Sequence, residues 1–181
     1  MKISRTVATL VAAALTTSAA AAADRAPDFM LKDLDGANFR LSEALTKGPI
    51  LIDFWATWCA PCIEELPQLN RIHQTYGPAG LQVIAISIDN SRSRSQVDPF
   101  VSSNEFEFRV LLDPDMDVRR RFGGTVTPYT ALIAADGSLV FDHSGYVPGD
   151  EKALEAAVRQ LLKLPEAPPA DDAGGGAAET E

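Results

Sequence analysis

The sequence predicts an α/β fold in which a mixed sheet carries helices on both faces. Two near-continuous apolar runs, residues 50–55 and 81–88, are typical of strands covered on both faces. Between them, apolar residues recur every three or four positions from Ile63 to Tyr76, as in an amphipathic helix over residues 60–76. A strand, a helix and a strand in this order form a right-handed βαβ unit. Near the end, Asp136-Gly137 predicts a hairpin turn, so a ββα unit follows.

The remaining elements have local signals. Residues 29–41 predict a hairpin that turns at residues 33–36, and Ser42 is expected to cap one helical turn after it. Pro67 should kink the long helix, because it removes a backbone hydrogen bond. The run Arg119-Arg120-Arg121 is expected to be a solvated helix face. Further predicted elements are helices at about 90–102, 113–122 and 153–164, and strands at 109–112, 130–134 and 139–141.

The first 23 residues have the pattern of a secretory signal peptide. Lys2 and Arg5 precede an uncharged, alanine-rich stretch that ends in small residues before Asp24. Its most apolar part is shorter than the ~20 residues that span a bilayer. The alternatives are an uncleaved membrane anchor and an alanine-rich helix of the mature protein. We therefore expect export to the periplasm, with cleavage near Ala23.

Residues 165–181 are expected to form a disordered acidic tail. They contain three prolines, three consecutive glycines and five acids, without a large apolar residue. The folded domain is therefore expected at residues 24–164. The whole chain has a formal net charge of −9, and removing the two basic leader residues and the five tail acids leaves −6. An acidic domain offers little to a phosphate backbone, so nucleic acid is not an expected partner.

Cys59 and Cys62 are the only cysteines in the chain, and they lie at the predicted strand-to-helix junction. A bridge across so short a loop constrains the unfolded chain little, which favours a chemical role over a structural one. At a helix N-terminus, unpaired N–H groups and the helix dipole stabilise a thiolate. Cys59 is therefore predicted to be the nucleophile. Cys62, expected to be more buried in the first turn, would be the resolving cysteine.

The alternative for two cysteines at this spacing is half of a structural zinc site. Zinc needs four ligands, and the two histidines of the chain, His73 and His143, lie far apart in the sequence. The sequence therefore favours dithiol chemistry, and neither a metal nor a cofactor is predicted.

The segment DFWATWCAPC, residues 53–62, resembles the active-site segment of the thioredoxin superfamily. The longer pattern WCxPCxxExP, residues 58–67, resembles the TlpA/ResA-like exported thiol–disulfide oxidoreductases. The resemblance covers about residues 26–164. It implies a thioredoxin fold with an N-terminal β-hairpin and an insertion between Asp89 and Leu112. It also implies that Thr127-Pro128 is the cis-proline that faces the two sulfurs and helps to hold a substrate backbone.

The resemblance also implies roles for two carboxylates. Asp53 would lie beneath Cys62 and assist its proton transfers, although many TlpA/ResA-like proteins carry asparagine there. The alternative is an aspartate that bonds to backbone or water without a redox role. Glu65 matches a glutamate that tunes thiol acidity, and the alternative is a solvated glutamate near the helix start. Trp58, beside the nucleophile, is expected on the docking surface, whereas Trp55 is expected in the core.

The predicted function is a periplasmic thiol–disulfide oxidoreductase, acting mainly as a reductant and as a monomer. Its expected partners are client proteins that contain disulfides and a membrane-embedded thiol electron donor. The resemblance implies clients of cytochrome c maturation or of copper-site assembly.

Two other functions stay open at this point. A peroxiredoxin-like peroxidase would need proline and threonine where this chain has Ile52 and Ala56. A copper-binding assembly factor of the Sco type would use CxxxC and a distant histidine, for which His143 is the candidate here.

Overall fold

The structure, a computed structural model, describes residues 24–123 and 126–165. The predicted leader, residues 1–23, and the predicted acidic tail beyond Pro165 lie outside these residues. Within the described ranges, no helix has both the length and the apolar character needed to cross a bilayer.

The described residues form seven strands and five α-helices. The strands are β1 (Met30–Asp33), β2 (Asn38–Arg40), β3 (Ile50–Trp55), β4 (Gln82–Ser87), β5 (Arg109–Leu112), β6 (Tyr129–Ile133) and β7 (Leu139–Ser144). The helices are α1 (Leu41–Ala44), α2 (Ala60–Tyr76), α3 (Val97–Ser103), α4 (Asp117–Arg121) and α5 (Glu151–Leu161).

One mixed sheet joins all seven strands in the order β2-β1-β5-β4-β3-β6-β7. The strands β3, β4 and β5 are parallel, and every other neighbouring pair is antiparallel. The predicted α/β fold, with its βαβ unit and its late hairpin, is confirmed. The N-terminal hairpin and β5 extend one side of the sheet, and β6 and β7 extend the other.

Strand β3 lies at the centre of the core, and all six of its residues are buried. Because side chains alternate along a strand, Asp53 and Phe54 project to opposite faces of the sheet. Helices α2 and α5 lie together on the face of Asp53, where Arg71 of α2 pairs with Glu155 of α5 at 2.8 Å. Helix α4 covers the face of Phe54, so helices lie on both faces as predicted.

Three local expectations were wrong. Ser42 does not cap α1, because the helix already begins at Leu41; instead, the Ser42 backbone N–H donates to Asp28 Oδ1 at 2.9 Å. Arg119 is fully buried rather than solvated. Ile63, assigned to the apolar face of α2, is 37% exposed, whereas its neighbour Cys62 in the same turn is fully buried.

Candidate functional site

The Cys59 sulfur lies at the N-terminus of α2, where one backbone N–H donates to it. Cys59 is the N-cap residue, with an extended backbone, and its Sγ accepts the backbone N–H of Cys62 at 3.3 Å. Pro61 occupies the first turn, where its missing N–H leaves no intrahelical bond unmade. A negative charge on the Cys59 sulfur would therefore be stabilised by a direct N–H donor and by the dipole of a 17-residue helix.

Cys59 and Cys62 are joined in a disulfide in this structure. Cys59 is 6% exposed and Cys62 is fully buried, so the order of burial matches the predicted order of roles. A client sulfur can therefore approach Cys59, while Cys62 is shielded and can only react within the molecule.

The loop before β6 lies against the Cys59 sulfur. The Thr127-Pro128 peptide is cis, as the resemblance implied, and Thr127 O lies 3.7 Å from Cys59 Sγ. Pro128 is buried, whereas Val126, two residues earlier, is 54% exposed. The backbone of this loop and the reactive sulfur thus face the same space.

The buried Arg119 side chain supports that loop, a role that the sequence analysis did not predict. Its Nη2 donates to Val126 O at 2.5 Å. Its guanidinium lies over the rings of Tyr129 and Phe54, at 4.3 and 5.4 Å from their centroids. Burial lowers the pKa of Arg119, and the aromatic faces offset part of the desolvation of its charge.

Asp53 of β3 and Glu65 of α2, which follows Cys62 by one helical turn, come together in the core. Asp53 is fully buried and Glu65 is 4% exposed. The Thr130 hydroxyl lies between them, 2.8 Å from Glu65 Oε1 and 3.4 Å from Asp53 Oδ1. Within the described residues, Asp53 Oδ2 and Glu65 Oε2 have no hydrogen-bond partner. Neither carboxyl is a solvated surface group, so the alternative of a solvated Glu65 is wrong.

Burial raises the pKa values of both carboxyls. For Asp53, desolvation raises the pKa well above 3.8 and the nearby Glu65 carboxylate adds to the rise. For Glu65, desolvation raises the pKa from 4.5 to about 7, against an opposing contribution from the Thr130 hydrogen bond. A carboxyl that exchanges its proton near neutral pH, as Glu65 does, suits proton transfer to and from a thiol.

Asp89 fixes the loop that joins β3 to α2, and it is a second residue that the sequence analysis missed. It is 1% exposed. Its carboxylate accepts the Thr57 hydroxyl at 2.6 Å, the Thr57 backbone N–H at 2.9 Å and the Ser87 hydroxyl at 3.0 Å. These bonds position the residues immediately before Trp58 and Cys59. An acid directly after a buried strand was the available signal.

The two tryptophans differ in the way that was predicted. Trp55 is fully buried, with its ring 5.5 Å from that of Phe100, whereas Trp58 is 62% exposed. His143, the candidate copper ligand, lies 3.1 Å from Asp150 Oδ2. Among the described residues, no three His, Cys, Asp or Glu side chains are grouped so that they could hold a metal ion.

Comparison with known proteins agrees with this geometry. The model of the Redoxin family matches residues 21–158. The chain belongs to the Redoxin family. Among its relatives, the thiol-disulfide oxidoreductase ResA of Bacillus thuringiensis subsp. konkukian is 31% identical over 139 residues, which cover 77% of this chain and 76% of ResA. ResA of Halalkalibacterium halodurans is 31% identical over 150 residues, covering 83% and 81% of the two chains.

A solved structure of comparable sequence identity has the same fold. A Chlorobium tepidum protein assigned as a thiol:disulfide interchange protein DsbE superposes with a TM-score of 0.71 and 32% identity. The match covers 77% of this chain and 96% of that one. This Redoxin family member is therefore a ResA-like thiol–disulfide oxidoreductase with Cys59 and Cys62 as its redox pair.

Proposed function

We propose that this oxidoreductase is a periplasmic reductant of disulfides in client proteins. The observation that carries the proposal is the position of the Cys59 sulfur. It lies at the N-terminus of α2, receives the Cys62 N–H, and has its partner sulfur within the same helical turn. The basic, alanine-rich leader pattern of residues 1–23 supports export.

The reaction consists of two exchanges. The Cys59 thiolate attacks one sulfur of the client disulfide, so that a mixed disulfide forms and the other client sulfur leaves as a thiolate. Cys62 then loses its proton and attacks Cys59 Sγ, which forms the internal disulfide and releases the second client thiolate. Two electrons pass to the client, and a thiol donor must return them. We expect that donor to be a membrane-embedded thiol protein.

The carboxyl pair supports the second exchange. Cys62 is fully buried, so its proton needs a nearby acceptor. Glu65 follows Cys62 by one turn of α2, and Thr130 links it to Asp53. We assign this pair as the acceptor of the Cys62 proton, in agreement with the roles that the resemblance implied for Asp53 and Glu65.

An apolar rim around Cys59 suits a client polypeptide. Trp58, Ile63 and Val126 are 62%, 37% and 54% exposed, and they come from the loop before α2, from its first turn and from the cis-proline loop. Scattered exposed apolar residues are common, but three beside one reactive sulfur indicate a docking surface. An extended client segment would lie on the backbone of Thr127 and Pro128.

The client class is the one that the resemblance to the TlpA/ResA-like proteins implies. We propose that the clients are apocytochromes c before haem attachment, or proteins of copper-site assembly, whose cysteines must be reduced; similarity to ResA and to a DsbE-type interchange protein supports thiol–disulfide exchange as the reaction. The domain would act as a monomer, because the docking rim must stay open to a client.

The test is the redox equilibrium of the protein in glutathione and dithiothreitol buffers, followed by insulin reduction. We expect a reduction potential below that of a strong periplasmic oxidant, which is about −120 mV, and catalytic precipitation of insulin with dithiothreitol as donor. A potential at or above that value, or no acceleration of insulin reduction, would rule out the reductant role.

Replacement of Trp58 by alanine should weaken client reduction without changing the chemistry. We expect kcat/KM for insulin to fall about three- to tenfold, which corresponds to ~1 kcal/mol of lost docking contact. The rate with a small disulfide such as oxidised glutathione should stay unchanged. Val140→Ala is the control, because Val140 is 46% exposed on the edge strand β7. Equal losses with insulin and glutathione would contradict a docking role.

A further inference from the structure

A row of polar side chains crosses the sheet from its centre to its edge. Asp53 of β3 pairs in register with Thr130 of β6, which pairs with His143 of β7. Directly opposed residues project to the same face, so these three side chains follow one another. Asp53 is fully buried and Thr130 is 1% exposed, whereas the His143 side chain is 42% exposed. The row therefore joins the buried site to solvent.

Two helices complete the row on this face. Helix α2 contributes Glu65, which accepts the Thr130 hydroxyl at 2.8 Å. The residue before α5, Asp150, lies 3.1 Å from His143 Nε2 and accepts the Val147 N–H at 2.9 Å. Glu65, Thr130, His143 and Asp150 line one small pocket of about 10 Å³. That is close to the volume of a single water site.

The Thr130 hydroxyl can relay a proton between the two carboxyls. It has one hydrogen, so it donates to only one of Asp53 and Glu65 at a time. The other carboxyl can hydrogen-bond to the Thr130 hydroxyl oxygen only when it carries a proton, which it then donates. A shift of both hydrogens moves the excess proton from Asp53 to Glu65, which is the carboxyl on the pocket.

The chemistry requires such a path. When Cys62 attacks Cys59, the thiol proton of a fully buried residue must reach solvent, and when the disulfide is reduced again a proton must return. We propose that His143, held by Asp150, is the port through which the Asp53–Glu65 pair exchanges protons with solvent during this step. The inference rests on the proposed role of the carboxyl pair in the resolving exchange.

Each proton and electron pair in the resolving exchange has a defined destination. In resolution, the Cys62 thiol transfers its proton to the pair, the new sulfur–sulfur bond forms, and the bond between Cys59 and the client breaks with its electron pair on the client sulfur. The pair then passes the proton through His143 to water. His143 acts through Glu65, and it is therefore a positioning residue for the proton rather than a catalytic residue.

Other ionisable groups face the same region and belong in any pH profile. Glu151 Oε2 accepts the Tyr146 hydroxyl at 3.0 Å and the Gly149 N–H at 2.8 Å, so its carboxylate is already engaged. The charged and titratable groups around the Asp53–Glu65 pair are Arg119, His143, Tyr146, Asp150 and Glu151.

The test separates the two exchanges in one experiment. The reduced protein is mixed with an equal concentration of dithiobis(nitrobenzoate), which releases one coloured thiolate when Cys59 attacks and a second when Cys62 resolves. In His143→Gln, we expect the second phase to slow about tenfold between pH 6 and 8 while the first phase is unchanged. Glutamine keeps a hydrogen bond to Asp150 but does not titrate.

Two further variants make the result specific. In His143→Ala, added imidazole should restore the second phase, which a purely structural defect would not allow. His73→Gln, which changes the other histidine of the chain, should behave as the wild type. Wild-type kinetics in both His143 variants, or a second phase that imidazole does not restore, would contradict the proposal that His143 exchanges protons with solvent. A wild type that releases only one equivalent of coloured thiolate would instead refute the proposed dithiol mechanism.

Discussion

Replacement of Cys62 by serine is expected to abolish insulin turnover and to trap the protein in mixed disulfides with its clients. Cys59 keeps its N-cap position in this variant and remains a nucleophile, so the first exchange still occurs. The resolving sulfur is absent, and the client stays bound until an external thiol attacks. We expect turnover to fall at least about a hundredfold, which corresponds to ~2.7 kcal/mol or more in the barrier.

Cys59→Ser is the matched variant, and its expected behaviour differs. It should also lose turnover, but without forming client adducts, because Cys62 is fully buried and cannot reach a protein disulfide. Non-reducing gels of both variants after incubation with oxidised insulin distinguish the two. Client adducts in Cys59→Ser would show that Cys62 is the nucleophile, which reverses the assigned roles. Insulin reduction by Cys59→Ser at the wild-type rate would refute the assignment.

The elements that carry the cysteines could be predicted because their signals are local. The apolar run of β3 and the three- and four-residue spacing of α2 each lie within one segment, and the observed α2, Ala60–Tyr76, has the predicted ends. Pro61 and the strand-to-helix change then determine that Cys59 is the N-cap. These facts depend on neighbours in sequence, so no knowledge of the tertiary structure was needed.

The support of the site could not be predicted, because it depends on strand order and register. Thr130 reaches both carboxyls only because β6 pairs with β3 in a register that sets Thr130 opposite Asp53. A slip of one residue would turn it to the other face. Arg119 stands in a run of three arginines that resembles a solvated face. It is buried because Phe54 and Tyr129, which are distant in the sequence, form its pocket.

The pH dependence of stability should report the buried carboxyls directly. Burial raises the pKa of Glu65 from 4.5 in the unfolded chain to about 7 in the folded protein. Between these values the folded state binds more protons than the unfolded state, so the free energy of unfolding falls as pH rises. The loss is complete above about pH 7 and amounts to ~3 kcal/mol for Glu65. Asp53, whose pKa is also raised, acts in the same direction.

Glu65→Gln should remove the contribution of Glu65 from this dependence. Glutamine cannot ionise, and its carbonyl oxygen can still accept the Thr130 hydroxyl, so the variant should be ~2–3 kcal/mol more stable than the wild type at pH 8 and nearly equal at pH 4.5. Urea unfolding of the oxidised proteins at several pH values measures the difference. Glu64→Gln is the control, because Glu64 is the exposed neighbour on α2 and lies outside the buried carboxyl pair, so this variant should not reproduce the gain in stability at pH 8. If the Glu65→Gln curve ran parallel to that of the wild type, Glu65 would be an ordinary ionised glutamate in the folded protein, and the proton would have to leave Cys62 by another path.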